Sequence, residues 1–184
     1  MRNQKEINMK YLQLGTSPQE IEFLLKHGVK YDKRTKKQLL AAYEYQEKPT
    51  RSEIEFYSKN IGIKFPEDYL NFLTIQNGGK PDPSSVKIGN KEKSIQYLYA
   101  FKNPMESCTL DYAITIFNGR IPQGFIPIAH ESSGSLLIMN CTIDGLGEIY
   151  FWDHNNEADN SISPYFGNMK KIAQSFTELE KIFM

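Results

Sequence analysis

Three groups of side chains have the types that chemistry requires, and each lacks a part. His130 lies close in sequence to Ser132, Ser133 and Ser135. A hydrolytic serine needs a base beside it and donors for the oxyanion. There is no Gly-x-Ser-x-Gly elbow, and serines flanking Gly134 are ordinary turn formers. Asp153, His154 and Glu157 form the densest set of potential metal ligands. They run into a polar stretch over residues 155–160, where no helix sets their spacing, and a calcium loop needs more carboxylates in a defined order. Asp153 and Glu157 as a glycosidase pair would need a fixed carboxyl separation, which the sequence does not show. The phosphate-cradling loops Gly-x-x-x-x-Gly-Lys-[Ser/Thr] and Gly-x-Gly-x-x-Gly are absent. His27 follows an apolar helical face, where a cation suits the helix dipole. No catalytic residue, metal site or cofactor is expected.

What remains is surface potential. Lys plus Arg total 22 and Asp plus Glu total 22. That balance argues against a dedicated nucleic-acid or membrane-surface binder. It hides an asymmetry. Residues 131–160 hold Glu131, Asp144, Glu148, Asp153, Glu157 and Asp159 and no Lys or Arg, whereas residues 1–48 hold ten Lys or Arg against six acids. An acidic region of this kind steers a basic partner, although polar turns also collect Asp and Glu for local bonding. Tyr150 and Trp152 share one strand face with Glu148 and Ile149 and Phe151 share the other, so Tyr150 and Trp152 are either interface anchors or core.

The elements that would position these residues are legible from caps and periodicity. Ser17-Pro18-Gln19-Glu20 opens a helix carrying Ile21, Leu24 and Leu25, with Gly28 to close it. Thr35 with Gln38 opens a second, ended by Pro49; Ser52 with Glu55 a third; Ser175 with Glu178 the last. A further helix starts at Pro66, presents Tyr69, Leu70, Phe72 and Leu73 on a wide apolar stripe, and stops at Asn77-Gly78-Gly79. A short one spans Thr109 to Phe117. Alternation over residues 94–101 predicts a strand. Residues 125–129 predict another, placed at an edge or strand end because Pro127 cannot donate to a ladder. Residues 136–141, apolar on both faces, read as a central strand. Residues 148–153 form a hairpin with it across Asp144-Gly145, and a further strand covers residues 85–88. Helices first, then a strand meander, then a helix predict an α+β fold with a largely antiparallel sheet. Residues 1–48 form a helical N-terminal extension before a domain over 49–184.

At 184 residues and 40% hydrophobic content the chain buries an ample core without disulfides. Cys108 and Cys141 read as free thiols, residues 1–10 lack an apolar leader, and no apolar run of about 18 residues occurs, which together point to a cytoplasmic protein with no membrane partner. Asn140-Cys141-Thr142 is then a chance match to a glycosylation sequon.

Residues Ile54 to Gly79 resemble the opening of the Smi/Knr-type proteins of the SUKH superfamily: a helix ending in an apolar-Gly pair, then an apolar-Pro-x-x-Tyr helix that stops at Asn-Gly-Gly. Phe125 to Ala129, Ser133 to Ile138, Gly147 to His154 and Ile172 to Phe176 resemble the family's later segments in the same order. Ser58 and Ser135 depart from the family pattern, and residues 1–48 lie outside it. The resemblance implies a SUKH-like sheet flanked by helices and a non-enzymatic protein-binding module. It points to an immunity protein that neutralises a cognate toxin, commonly a nuclease, without touching nucleic acid itself. The alternative it offers is a regulatory scaffold of the cell-wall assembly type. On either reading the candidate partner-binding residues are Asp144, Glu148, Tyr150, Trp152, Asp153, Glu157 and Asp159.

Overall fold

The computed structural model describes residues 9–158 and 166–184. The element order is β1 (Lys10–Leu12), α1 (Pro18–Lys26), α2 (Lys33–Glu44), α3 (Arg51–Asn60), α4 (Glu67–Ile75), β2 (Lys80–Asp82), β3 (Ser85–Ile88), β4 (Lys91–Leu98), α5 (Leu110–Ile116), β5 (Phe125–Glu131), β6 (Leu136–Asn140), β7 (Ile149–Trp152), β8 (Met169–Ala173) and α6 (Phe176–Ile182). Strands β3 to β8 form one antiparallel meander of six strands in sequence order, and β1 and β2 pair separately. The fold is α+β, as the helix and strand signals predict.

The helices start where side-chain oxygens meet orphan amides, a device worth about 1 kcal/mol each. Ser17 accepts from Glu20, Thr109 from Tyr112 and Ser175 from Glu178. Two starts differ from expectation. Asp32, not Thr35, caps α2: one carboxylate oxygen takes the Thr35 amide at 2.8 Å and the other takes its hydroxyl at 2.6 Å. Thr50 and Glu53, not Ser52 and Glu55, form the capping box of α3. Glu55 is engaged instead by Arg51, one turn before it, at 2.7 Å.

Helix α4 carries the aromatic centre. Phe72 lies 4.5 Å from Phe176 and 5.0 Å from Tyr11, and Tyr69 lies 5.2 Å from Phe176, centroid to centroid. Asp68 ties α4 to α6 by accepting the Thr177 amide at 2.9 Å. Strand β6 is the middle of the core, with Leu136, Leu137, Ile138 and Met139 all fully buried. Register pairs Ile138 with Tyr150 and Leu136 with Trp152 on one face, and Leu137 with Phe151 and Met139 with Ile149 on the other. Both faces of the β6–β7 hairpin are therefore covered.

Strand β5 lies between β4 and β6, so Pro127 is not at an edge. The register with β6 shifts between Pro127 and Ala129, and β4 engages β5 only from Ile128 onward. The proline occupies the irregular stretch, where its missing amide breaks no ladder bond. Strands β1, β2 and β8 carry no alternation in sequence and are additions to the reading. The two sheet edges are managed differently. Ser85 and Met184 exchange backbone bonds at 2.9 and 3.3 Å across β3, whereas β8 exposes Lys170 and Lys171.

The N-terminal segment is fastened to the rest at several points. Strand β1 pairs with β2, the Tyr11 hydroxyl donates to Glu180 at 2.8 Å, and Leu14 packs with Ala100 and Cys108. The strongest clasp is Asn77, 7% exposed and at φ 56°. Its amide donates to the Glu47 and Lys102 carbonyls at 3.1 and 2.9 Å. Its carbonyl accepts the Phe101 and Lys102 amides at 2.8 and 3.3 Å. Gly78 follows so closely against Ala100 that a Cβ there would sit 2.7 Å from the Ala100 nitrogen. Asn77→Ala leaves four backbone groups without their side-chain partner and places a Cβ-bearing residue without a polar side chain in the left-handed region. The expected cost is roughly 2–4 kcal/mol, read as a lower urea midpoint at an unchanged slope.

Candidate partner-binding surface

In an antiparallel meander the end of β4, the start of β5, the end of β6 and the start of β7 fall at one end of the sheet. The β6–β7 connection there is held rigidly. The Asn140 side-chain carbonyl accepts the Thr142 amide and hydroxyl, each at 2.8 Å. Its backbone amide takes the Glu148 carbonyl at 2.8 Å, and its carbonyl takes the Gly147 amide at 2.9 Å. Gly145 lies directly on the Asn140 amide, leaving no room for a Cβ. Cys141 donates to the Gly124 carbonyl at 2.7 Å, which fixes the loop to the start of β5.

This loop presents apolar surface to water. Ile143 is 97% exposed, and Leu146 and Phe166 are also exposed. Phe125 bridges outward from the core, 5.9 Å from Phe166 and 5.5 Å from Tyr150. Beside it runs an open groove of about 840 Å³ lined mainly by Ile61, Ile63, Ile114, Ile121, Pro122 and Phe125. A rigid apolar projection beside an apolar groove with a polar rim has the composition of a protein contact site.

The sequence-derived candidates divide between the two ends of β7. Asp144, Glu148 and Tyr150 lie with the loop. Tyr150 donates to Glu148 at 2.7 Å, and Lys171 reaches the other carboxylate oxygen at 2.9 Å. That bond pushes the Tyr150 hydroxyl up to about 12, and the phenol and the ammonium hold the Glu148 carboxyl below its ordinary value. Asp144 is exposed. The remaining candidates sit about 10 Å along the strand, at roughly 3.3 Å per residue. Trp152 is core, 1% exposed, with Phe117 at 6.0 Å and the Arg120 guanidinium 5.6 Å over its ring. It supports the sheet from inside. Glu157 grips Arg120 through two bonds of 2.8 and 2.7 Å. Asp153 accepts from Asn155 and Asn156 at 3.1 and 2.8 Å. Burial pushes its carboxyl up, but these bonds outweigh that and leave it low. Asp159 lies outside the described residues.

Sequence reasoning missed the apolar members of this surface. The signal available was Ile143 and Leu146 set between turn residues in Thr-Ile-Asp-Gly-Leu-Gly.

The groups weighed for catalysis have structural employment. Ser135 is fully buried and its hydroxyl meets His154 Nδ1 at 3.1 Å, bracing the β5–β6 turn against the chain after β7. His130 stacks on Tyr97 at 5.4 Å, and burial lowers its pKa. Ser133 donates through amide and hydroxyl to buried Glu131. Burial pushes the Cys141 thiol up to about 12, so it stays protonated. Among the described residues no cluster of three or more His, Cys, Asp or Glu could hold a metal, and no helix is long and apolar enough to cross a membrane.

Residues 48–181 match the SMI1 / KNR4 family (SUKH-1), and the chain belongs to that family. It is also similar to the SPbeta prophage-derived uncharacterized protein YokK of Bacillus subtilis (strain 168). The two are 29% identical over 169 residues, covering 81% of this chain and 82% of that protein.

The Glu148 triad gives a pH signature with a definite sign. A carboxyl held low stabilises the fold above the ordinary glutamate range, and that contribution disappears as pH falls. Glu148→Gln lacks it at every pH. The stability difference between the two proteins should therefore be full at about pH 7 and shrink progressively as pH falls below the ordinary glutamate range, as measured by urea midpoints.

Proposed function

We propose that this SUKH-1 member is a cytoplasmic, non-enzymatic protein-binding module that acts as an immunity protein, neutralising a cognate toxin by covering it. The observation that carries this reading is the loop after β6. An isoleucine 97% exposed on a backbone pinned by Asn140 gains nothing for the fold and is suited to a partner's pocket. The family match and the similarity to a prophage-derived protein support the same reading.

Ile143 enters an apolar pocket of the toxin, and Phe166, Leu146 and the groove beside Phe125 exclude water around it. Tyr150 and Glu148, pre-set by Lys171, supply polar contacts at the rim, and Asp144 offers the nearest free carboxylate. Pre-setting matters because side chains already fixed lose little entropy on binding. Inhibition is steric: a toxin, such as a nuclease, whose active site or adjacent face is covered does not reach its substrate.

The test is co-expression and co-purification with the toxin encoded beside this chain's gene. Growth should be restored and a stoichiometric complex recovered. Ile143→Asp should raise the Kd at least about 30-fold, near 2 kcal/mol, as for a hot-spot residue, with no change in Tm because the side chain touches little of its own fold. Absence of both rescue and complex would remove the immunity reading.

A further inference from the structure

The cations of the α1–α2 hairpin are in the opposite condition to the acids of the β6–β7 region. Glu148 is paired with Lys171, Glu157 with Arg120, and Glu131 with Lys93. Over residues 26–37, six Lys or Arg stand against one acid, Asp32, whose two carboxylate oxygens accept from Thr35 and form no ion pair among the described residues. Lys26 is paired with Glu22 at 2.9 Å. Lys30, Lys33, Arg34, Lys36 and Lys37 are exposed and form no ion pair among the described residues.

Their placement works against the helix that carries them. Lys33, Arg34 and Lys36 occupy the first turn of α2, which has no acid, although the positive end of the dipole favours anions there. Lys33 and Lys37 are four residues apart on the outer face and repel each other. Each effect costs a few tenths of a kcal/mol. Next to them Phe23, Leu25 and Val29 are 58%, 41% and 37% exposed. Unpaired cations around exposed apolar side chains, at a cost to local stability, fit an outside partner of opposite charge.

The hairpin also has the right address. It is rooted by Lys80, which donates to the Gly15 carbonyl, and by Leu14 packed on Ala100 and Cys108 just beyond the end of β4. That is the end of the sheet that carries the Ile143 loop. We infer that the α1–α2 hairpin is a second docking element that binds an acidic face of the protein partner, with its unpaired cations supplying long-range attraction. This rests on the protein-binding reading above. A protein face is favoured over lipid headgroups or nucleic-acid phosphates because Glu22 and Glu44 line the α1–α2 groove beside Leu25 and Lys36. A uniform polyanion would be repelled there, whereas a protein surface can place a donor opposite each carboxylate.

The experiment measures association and dissociation rates of the full chain with the neighbouring toxin at about 0.05 and 0.5 M salt. Lys33→Glu/Arg34→Glu/Lys37→Glu should associate at least about tenfold more slowly at low salt, converge with the wild type at high salt, and keep its dissociation rate, with a Tm no lower than the wild type's because acids now occupy the first turn of α2. The corresponding triple Gln variant should fall between. A normal complex whose association is unchanged, or faster, in the Glu variant overturns the hairpin inference and leaves the protein-binding reading standing. No complex with the wild type overturns both. Phosphatidylglycerol vesicles and a DNA duplex of about 30 base pairs are run in parallel. Wild-type binding to either that is abolished in the Glu variant reassigns the hairpin to that polyanion and overturns the inference.

Discussion

Asn77 is the point at which three parts of the chain become one body. It ends α4 in the left-handed region, where a short polar side chain is tolerated. It then spends both halves of its amide on backbone from elsewhere, the Glu47 carbonyl after α2 and the Phe101 and Lys102 groups beyond β4. A buried amide with four partners is a geometric specification as much as a stabilising one, because no rotated or shifted arrangement satisfies the same groups. Gly78 and Gly79 then let the chain run against Ala100 and Leu12 at distances no Cβ allows. The Asn-Gly-Gly motif is therefore a junction, and the N-terminal hairpin is seated by it relative to the sheet.

A second asparagine repeats the device at the contact surface. Asn140 ends β6 and uses its side-chain carbonyl to hold Thr142, while its backbone closes on Gly147 and Glu148. The loop it holds would otherwise be a short, Gly-containing turn of little fixed shape. With it, Ile143 projects from a hydrogen-bonded framework continuous with β6. Both ends of the proposed contact, the hairpin and the loop, thus depend on buried amides that take no part in contact themselves. Rigidity of this kind suits the proposed contact, because ordering is completed in folding and not in binding.

Much of the architecture could be read from sequence, and the failures have physical causes. Helix existence followed from apolar spacing and caps, but the α3 box forms at Thr50 with Glu53, two residues before the expected Ser52 with Glu55, while Glu55 pairs with Arg51. Strand β8 has no alternation because its outer residues are lysines guarding an edge. Pro127 misled because the rule that bars proline from a central strand yields where the ladder is already irregular. Asn77 was legible as a helix stop and not as a clasp, since its partners lie 24 to 30 residues away. At the candidate surface the polar members were visible and the apolar ones were not, because an exposed isoleucine is marked only by the rigidity of the loop around it.

Charge shows the same limit more sharply. A count over residues 131–160 registers six acids and no cation, yet three of those acids are answered from other elements: Glu131 by Lys93 of β4, Glu157 by Arg120 beyond α5 and Glu148 by Lys171 of β8. Each pairing removes far-field potential while leaving the local count untouched, since an ion pair looks neutral from beyond a Debye length of about 8 Å. The N-terminal cations have the reverse history. Glu22 is paired with Lys26, and Asp32 is the one acid among the six cations of residues 26–37. The field a partner meets is the residue left after such internal pairing. By that reckoning a chain of zero net charge keeps a local surplus of unpaired cations on the hairpin.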